Sequence, residues 1–511
     1  MNHWMILPIL FPAIVAPLLA LAVRHDIVLA RVFSVGSTFL LLLLGLFHLV
    51  MAGDGVTRTY ELGNWPAPFG IVLVLDRLAA LMLVLTAALG FCVQLYAING
   101  WDKRGQHFHP LFQFQLMGIN GAFLTGDLFN LFVFFEVLLI ASYGLMVHGG
   151  GPDRLRSGLQ YMTINLLASA IFLLGLGLIY SVTGTLNMAD FAVKVSAVQP
   201  MNRAMLSSGA MLLLVVFGVK SALFPLQFWL PGTYSQAPPP VAALFAIMTK
   251  VGVYAILRVF VLAFGESAGP LAWIATPWLL PAASATLAIG MIGVLAARSL
   301  MQQASFVALG SMGMLLIAVG AFTPQSISAA LYYLIQSTIS VAALFLVIDM
   351  VIARRPGEGD ALTVSPRFIH QGLIAGLFFL VAIAVTGVPP LSGFVAKLLV
   401  LDSVRTIQGG AWLWALILST SLVALIGFAA SGSQIFWKST SLEGEMKTHH
   451  KVALALPVVA IGLLITGLVM LTVLAGPITL YLDATVEQLF NPQQYIDAVL
   501  SPDRGNHDVS G

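Results

Sequence analysis

The sequence predicts an all-α, polytopic membrane protein of about fourteen transmembrane helices, built as two inverted five-helix repeats in which helices 7 and 12 are broken. Three observations carry that expectation. Apolar residues fill 59% of the 511 positions and charged residues only 9%, against roughly 50% and 25% in a soluble domain. Fourteen apolar runs are long enough to span a bilayer. Two of those runs, the seventh and the twelfth, contain prolines close to a lysine (Pro225 after Lys220; Pro389 and Pro390 before Lys397), and a proline removes a backbone donor and breaks its helix.

Taken in order, the runs cover 4–23, 29–51, 71–98, 109–125, 127–147, 157–182, 205–229, 239–265, 271–297, 303–322, 325–352, 371–404, 411–436 and 452–476. They group as three N-terminal helices (1–108), a first repeat (109–265), a second repeat (271–436), a last helix (437–476) and a more polar tail (477–511), expected to be a short interfacial helix followed by a disordered terminus. No Lys or Arg precedes the first run, while Arg24 and Arg31 follow it. That is the reverse of a secretory signal peptide, so the first helix is expected to be retained, with its start outside. A net charge of +2 offers no patch for nucleic acid. The single cysteine, Cys92, can form no internal disulfide.

Basic residues orient the helices. With the N-terminus outside, the inward loops carry Arg24, Arg31, Lys103, Arg104, Arg154, Arg156, Arg298, Arg354, Arg355, Arg367, Lys438, Lys447 and Lys451. The outward loops carry only Arg58, Lys194, Arg203, Arg405 and Arg504. The excess of positive charge inside places both termini outside, in a bacterial cytoplasmic membrane. Arg77 and Arg258 lie near segment ends and are read as snorkelling to the interface.

Four charges remain deep inside. Glu136 lies nine residues past Asp127 in GDLFNLFVFFEVLLIASYGL, roughly 13 Å into a ~30 Å hydrocarbon core. Lys220 sits in the seventh run, Lys250 halfway along the eighth and Lys397 in the twelfth. Burial disfavours a charged amine and a nearby carboxylate favours it, so such lysines can take up and release protons. One acid and three amines on four helices form a chain of titratable sites suited to moving charge across the bilayer. A static ion pair is the plainer reading of Glu136 with one lysine, but one acid cannot neutralise three lysines. Helix breaks near Lys220 and Lys397 are tolerated only where protein or water satisfies the freed carbonyls. The broken runs are five apart, an odd number, hence two inverted units, the first taking up protons and the second releasing them. Runs ten and thirteen carry no counterpart of Glu136 or Lys250.

Together GDLFNLFVFFEVLLIASYGL, VKSALFPLQFWLPGTYSQAPPPVAALF, MTKVGVYAILR and GVPPLSGFVAKLLVL resemble the proton-translocating antiporter-like subunits shared by Mrp-type cation/proton antiporters, respiratory complex I and membrane-bound hydrogenases. The likeness runs from about Asp76 to Lys438 and is strongest to the D subunits of Mrp-type Na+/H+ antiporters. It implies that Glu136 and Lys220 form an ion pair, that Lys250 is the central relay and Lys397 the terminal lysine, and that the chain works with other subunits of an Mrp complex. Protons and Na+ would be the transported ions. The alternative it leaves open is a redox-linked subunit of complex I or a hydrogenase. The family's His and Lys in its eleventh helix are replaced here by Gln336 and Val341. Gln336 reads either as a packing amide or as part of a hydrated link with Ser337, Thr338 and Ser340. A scaffold that has lost conduction is a third reading, opposed by the intact Glu136, Lys220, Lys250 and Lys397.

Other titratable residues read more plainly. Asp127 is expected to cap its helix, with an entrance carboxylate as the alternative. Asp76 with Arg77 reads as interfacial, and Asp349 as a local partner of Arg354 and Arg355. His107, His109 and His148 read as solvated. Glu443, Glu445, His449 and His450 share a loop but lack zinc-site spacing. No phosphate loop, dinucleotide fingerprint, CxxC pair or triad occurs, so neither cofactor, metal nor soluble enzyme domain is expected.

Overall fold

The computed structural model describes residues 3–355, 357–441 and 454–501. The expectations for Glu443, Glu445, His449 and His450, and for the terminus beyond 501, lie outside the described residues. Helices α1 (Leu7–Leu21), α2 (Ile27–Ala52), α3 (Arg77–Ala97), α4 (Phe108–Leu124), α5 (Leu128–Met146), α6 (Pro152–Thr183), α7 (Met188–Ser196), α8 (Arg203–Lys220), α9 (Trp229–Gln236) and α10 (Pro239–Ile256) form the first part. The second comprises α11 (Thr276–Ala296), α12 (Leu300–Gly320), α13 (Pro324–Ile352), α14 (Gln371–Thr386), α15 (Ser392–Ser403), α16 (Gly410–Gly432) and α17 (Ala455–Val473). Eleven of the described helices are long and apolar enough to cross a membrane, and α1 and α14 are apolar but shorter. Each of the fourteen predicted runs contains at least one helix.

The predicted breaks are present. α8 stops at Lys220 and α9 resumes at Trp229; α14 stops at Thr386 and α15 resumes at Ser392. The tail differs from expectation: it holds two helices, α18 (Ala475–Leu489) and α19 (Pro492–Leu500). They fold back over an antiparallel hairpin of β1 (Arg58–Glu61) and β2 (Val72–Leu75), in which Arg58 faces Leu75 and Glu61 faces Val72. Gln488 donates to the Gly55 carbonyl at 2.9 Å and Gln494 to the same carbonyl at 2.6 Å. The arm is thereby tied by hydrogen bonds to the segment between α2 and β1.

Small residues set how closely the helices approach. A Cβ on Gly118 would lie 2.7 Å from the Leu138 backbone nitrogen, and one on Gly121 would collide with the Phe134 ring, so α4 and α5 touch through glycine. In α11 and α12, a Cβ on Gly290 would strike the Gly310 backbone and one on Gly293 the Phe306 ring. The two sets, Gly118, Gly121, Phe134 and Leu138 against Gly290, Gly293, Phe306 and Gly310, keep one constant offset along the chain. Small-residue stripes of this kind let helices pack backbone to backbone in lipid.

The helix starts also correspond. Asp127 accepts from the Asn130 amide at 2.8 Å, capping α5 as expected, and Ser299 accepts from the Gln302 amide at 3.2 Å at the start of α12. Each cap is pinned by a short antiparallel bridge, Asp127 to Asn187 and Ser299 to Ala361. The Leu128 amide donates to the Leu186 carbonyl and the Leu300 amide to that of Asp360, both at 2.8 Å.

Candidate functional site

Glu136 lies on α5, flanked on the same helix by exposed Val133 and Ile140. It is half-buried rather than enclosed. Its carboxylate accepts a hydrogen bond from the Ser169 hydroxyl of α6. One turn earlier on α6, the Asn165 side-chain carbonyl accepts from Lys220 Nζ at 3.1 Å. The Ser169 hydroxyl also reaches the Asn165 backbone oxygen at 3.0 Å. The implied Glu136–Lys220 ion pair is therefore absent among the described contacts: α6 stands between the two charges and holds one with a hydroxyl, the other with an amide. Both linking residues escaped the sequence reading, although a polar pair four apart in an apolar helix marks one face of it.

Lys220 is the last residue of α8, 6% exposed, with its ammonium 5.6 Å from the Phe135 ring centroid. Beyond it, the break is closed by neighbours. The Val219 carbonyl accepts from Trp229 Nε1 at 3.0 Å, and the Phe224 amide donates to Thr286 Oγ1 of α11 at 2.8 Å. Gly252 brings α10 against this break, since a Cβ there would collide with Ser221 Oγ. Lys250, half a turn away, is 1% exposed and has no hydrogen-bond or ion-pair partner among the described residues.

Lys397 occupies the second break. Its ammonium donates to the Thr386 carbonyl at 2.6 Å and to Ser421 Oγ of α16 at 2.8 Å. The side chain reaches Thr386 past Gly387, whose φ of +72° suits glycine and whose added Cβ would sit 2.5 Å from Lys397 Cδ. Gln336 of α13 donates to the freed Ala384 carbonyl at 2.9 Å and to Ser340 Oγ at 3.3 Å. Val341 is buried. The freed carbonyls of Ala384 and Thr386 thus go to an amide and an ammonium, as backbone at membrane depth requires.

Several charges lie elsewhere than expected. Arg258 does not reach out to solvent, and Asp76, at the start of α3, is its partner. Both are buried, with Arg258 Nη1 and Nη2 donating to the two Asp76 oxygens at 2.6 and 2.9 Å. Among the described residues Asp349 pairs with neither Arg354 nor Arg355; it is buried and accepts from Tyr96 and Trp101, each at 2.8 Å. His109 and His148 are buried, not solvated: His109 lies 3.3 Å from Asp102, and His148 contacts the Trp101 carbonyl at 2.8 Å. Burial works to raise the Asp102 carboxyl, but hydrogen bonds from Arg31 and His109 outweigh it and hold it at about 2. His107 is exposed.

The D subunit of a probable K(+)/H(+) antiporter from Rhizobium meliloti (strain 1021) is 41% identical, with 99% of this chain and 98% of that protein covered. The D subunit of a Na(+)/H(+) antiporter from Bacillus subtilis (strain 168) is 38% identical over 98% of this chain and 100% of that protein. The solved Mrp complex from Dietzia sp. DQ12-45-1b contains a chain that superposes with a TM-score of 0.84 at 26% identity, covering 98% of this chain and 100% of that one. Residues 125–427, which include Glu136, Lys220, Lys250 and Lys397, match the family model described as NADH:quinone oxidoreductase/Mrp antiporter, TM, and the chain belongs to that family.

Proposed function

We propose that this chain is the proton-conducting membrane subunit of a multisubunit monovalent-cation/proton antiporter of the Mrp type. The observation that carries the reading is the burial of Lys220, Lys250 and Lys397 beside two helix breaks, with a lone carboxylate, Glu136, one helix away from the first of them. The whole-length relatives named as D subunits support it. Protons pass by water and hydroxyl groups from Glu136 and Lys220 to Lys250 and on to Lys397, each charge disfavouring the next until it moves.

Fourteen spans in two inverted five-helix units, 109–265 and 271–436, are the architecture we infer. The glycine contacts and caps that recur at one offset in α4–α5 and α11–α12, with a bridge beside each cap, support it. Both termini lie outside the bacterial cytoplasmic membrane. Glu136 is half-exposed on an apolar flank, where a bare carboxylate facing lipid is costly, which supports a neighbouring subunit covering it. The exported ion is a monovalent cation. Relatives named for K+ and for Na+ make the test two-armed.

The test is cation-induced ΔpH in everted vesicles carrying the whole complex, with Na+ or K+ added, in wild type and Glu136→Ala. Loss of the response in an assembled mutant supports the antiporter reading; a wild type that answers neither cation moves the redox-linked alternative to first place.

A further inference from the structure

Lys250, Tyr254 and Arg258 are spaced four and four on the helix that begins as α10, so they stand one turn above another toward the outward end. At Arg258 the helix widens into a single π turn, Leu257–Val261. Such turns are rare and collect at functional sites. The first half thus has a polar column running from its central lysine to the outer face, and a proton crossing along it in either direction would bypass Lys397.

We propose that Tyr254, Arg258 and Asp76 form a proton seal that closes this outer end and keeps protons on the sideways route between the two halves. The inference rests on the proton-path reading of Lys250. A relay member must both accept and donate, and a guanidinium has donors only. Here four of its five donors are placed: Nη1 and Nη2 go to Asp76, and Nε and Nη2 reach the Tyr254 oxygen at 3.2 and 3.0 Å. That oxygen accepts both contacts, and its own hydroxyl donates to the Phe123 carbonyl of α4 at 2.5 Å. No lone pair is left for a proton from Lys250. The Tyr495 ring of α19 covers the guanidinium from outside at 5.3 Å. A fixed positive charge across a pore is a known way to exclude protons. At the second lysine the oxygen is less committed: Ser421 Oγ accepts from Lys397 and donates to the Ile417 carbonyl, which leaves it a second lone pair among the described contacts.

The experiment follows passive decay of a respiration-generated ΔpH in everted vesicles carrying the whole complex, without transported cation. Arg258→Lys keeps the charge toward Asp76 but substitutes an amine that can lose its proton. It is expected to speed decay several-fold, and adding Lys250→Ala is expected to restore the slow rate. Asp76→Asn with Arg258→Gln removes both charges together and should leak likewise. Wild-type decay in either variant, at normal complex levels, overturns the seal, as does a leak that Lys250→Ala leaves untouched. Cation-driven ΔpH in Lys250→Ala alone is a separate readout: its retention sinks the proton-path reading, whatever the leak shows.

Discussion

The α4–α5 and α11–α12 pairs share their glycine contacts and helix caps, and the regions around them differ in what they do with charge. α5 has Glu136 between Phe134 and Leu138; at the corresponding place α12 has Ala308 between Phe306 and Gly310. In the first half a carboxylate and an ammonium are held a helix apart by Ser169 and Asn165. In the second half the ammonium of Lys397 has no acid beside it and rests on a backbone carbonyl and a hydroxyl. Neutral dipoles stabilise a buried charge less than an opposite charge does. The same kind of helix break thus carries two differently held ammoniums, one on an amide with a carboxylate a helix away and one on a carbonyl and a hydroxyl alone.

The comparison is broken most directly at its middle. Lys250→Ala removes the one member of the three buried lysines that has no partner among the described residues. Cation-driven ΔpH in vesicles is expected to fall about 100-fold, the scale of losing a positioned proton carrier. Next comes the α6 link. Asn165→Ala is expected to slow transport roughly 10- to 100-fold, in line with ~1.5–3 kcal/mol for a hydrogen bond to a charged group. Asn165→Gln, with the same amide one methylene longer, should recover part of it. An unchanged rate in Asn165→Ala would leave Lys220 without a functional partner.

In the second half Gly387→Ala forces a left-handed backbone, costing ~1–2 kcal/mol, and pushes a methyl toward Lys397. A several-fold loss of rate with a lowered melting temperature is expected, measurable on the purified complex. Gln336→Ala is milder. It leaves the Ala384 carbonyl unpaired at about 1 kcal/mol, and transport should stay within about twofold if the amide only supports the break. A collapse of transport would make Gln336 part of the conducting chain.

The smallest effect lies outside the membrane. Because Asp102 is held at about 2, below its unfolded value of about 3.9, its contribution is present at neutral pH and lost as pH falls through the folded value. The melting temperature of wild-type complex should therefore drop more steeply under acid than that of Asp102→Asn.

Much of this site was legible because a charge inside an apolar run is conspicuous, and so were Glu136, the three lysines and the proline breaks. What escaped was pairing across sequence distance. Arg258 reads as a snorkelling side chain until Asp76, 182 residues away, is brought against it. Asp349 reads as a partner of the nearby arginines until Tyr96 and Trp101 fold onto it. Asn165 and Ser169 are uncharged and give no signal of their own, yet they hold both members of the expected ion pair. Local polarity was readable; the choice of partner belongs to packing.

The helix breaks also bear on how the chain is made. α14 has 16 residues and α15 has 12, while a free-standing span needs about 20. α15 also brings Lys397, a residue that an insertion machinery accepts at a helix centre only at a cost of ~2.5–3.5 kcal/mol. Neither piece is suited to leave the translocon alone as a finished span. During synthesis this region must wait beside α13, whose Gln336 receives the loose carbonyl, and beside α16, whose Ser421 receives the ammonium and is translated later. Biogenesis of the second half is thus an ordered, cooperative event, complete only when the helix following the break has emerged.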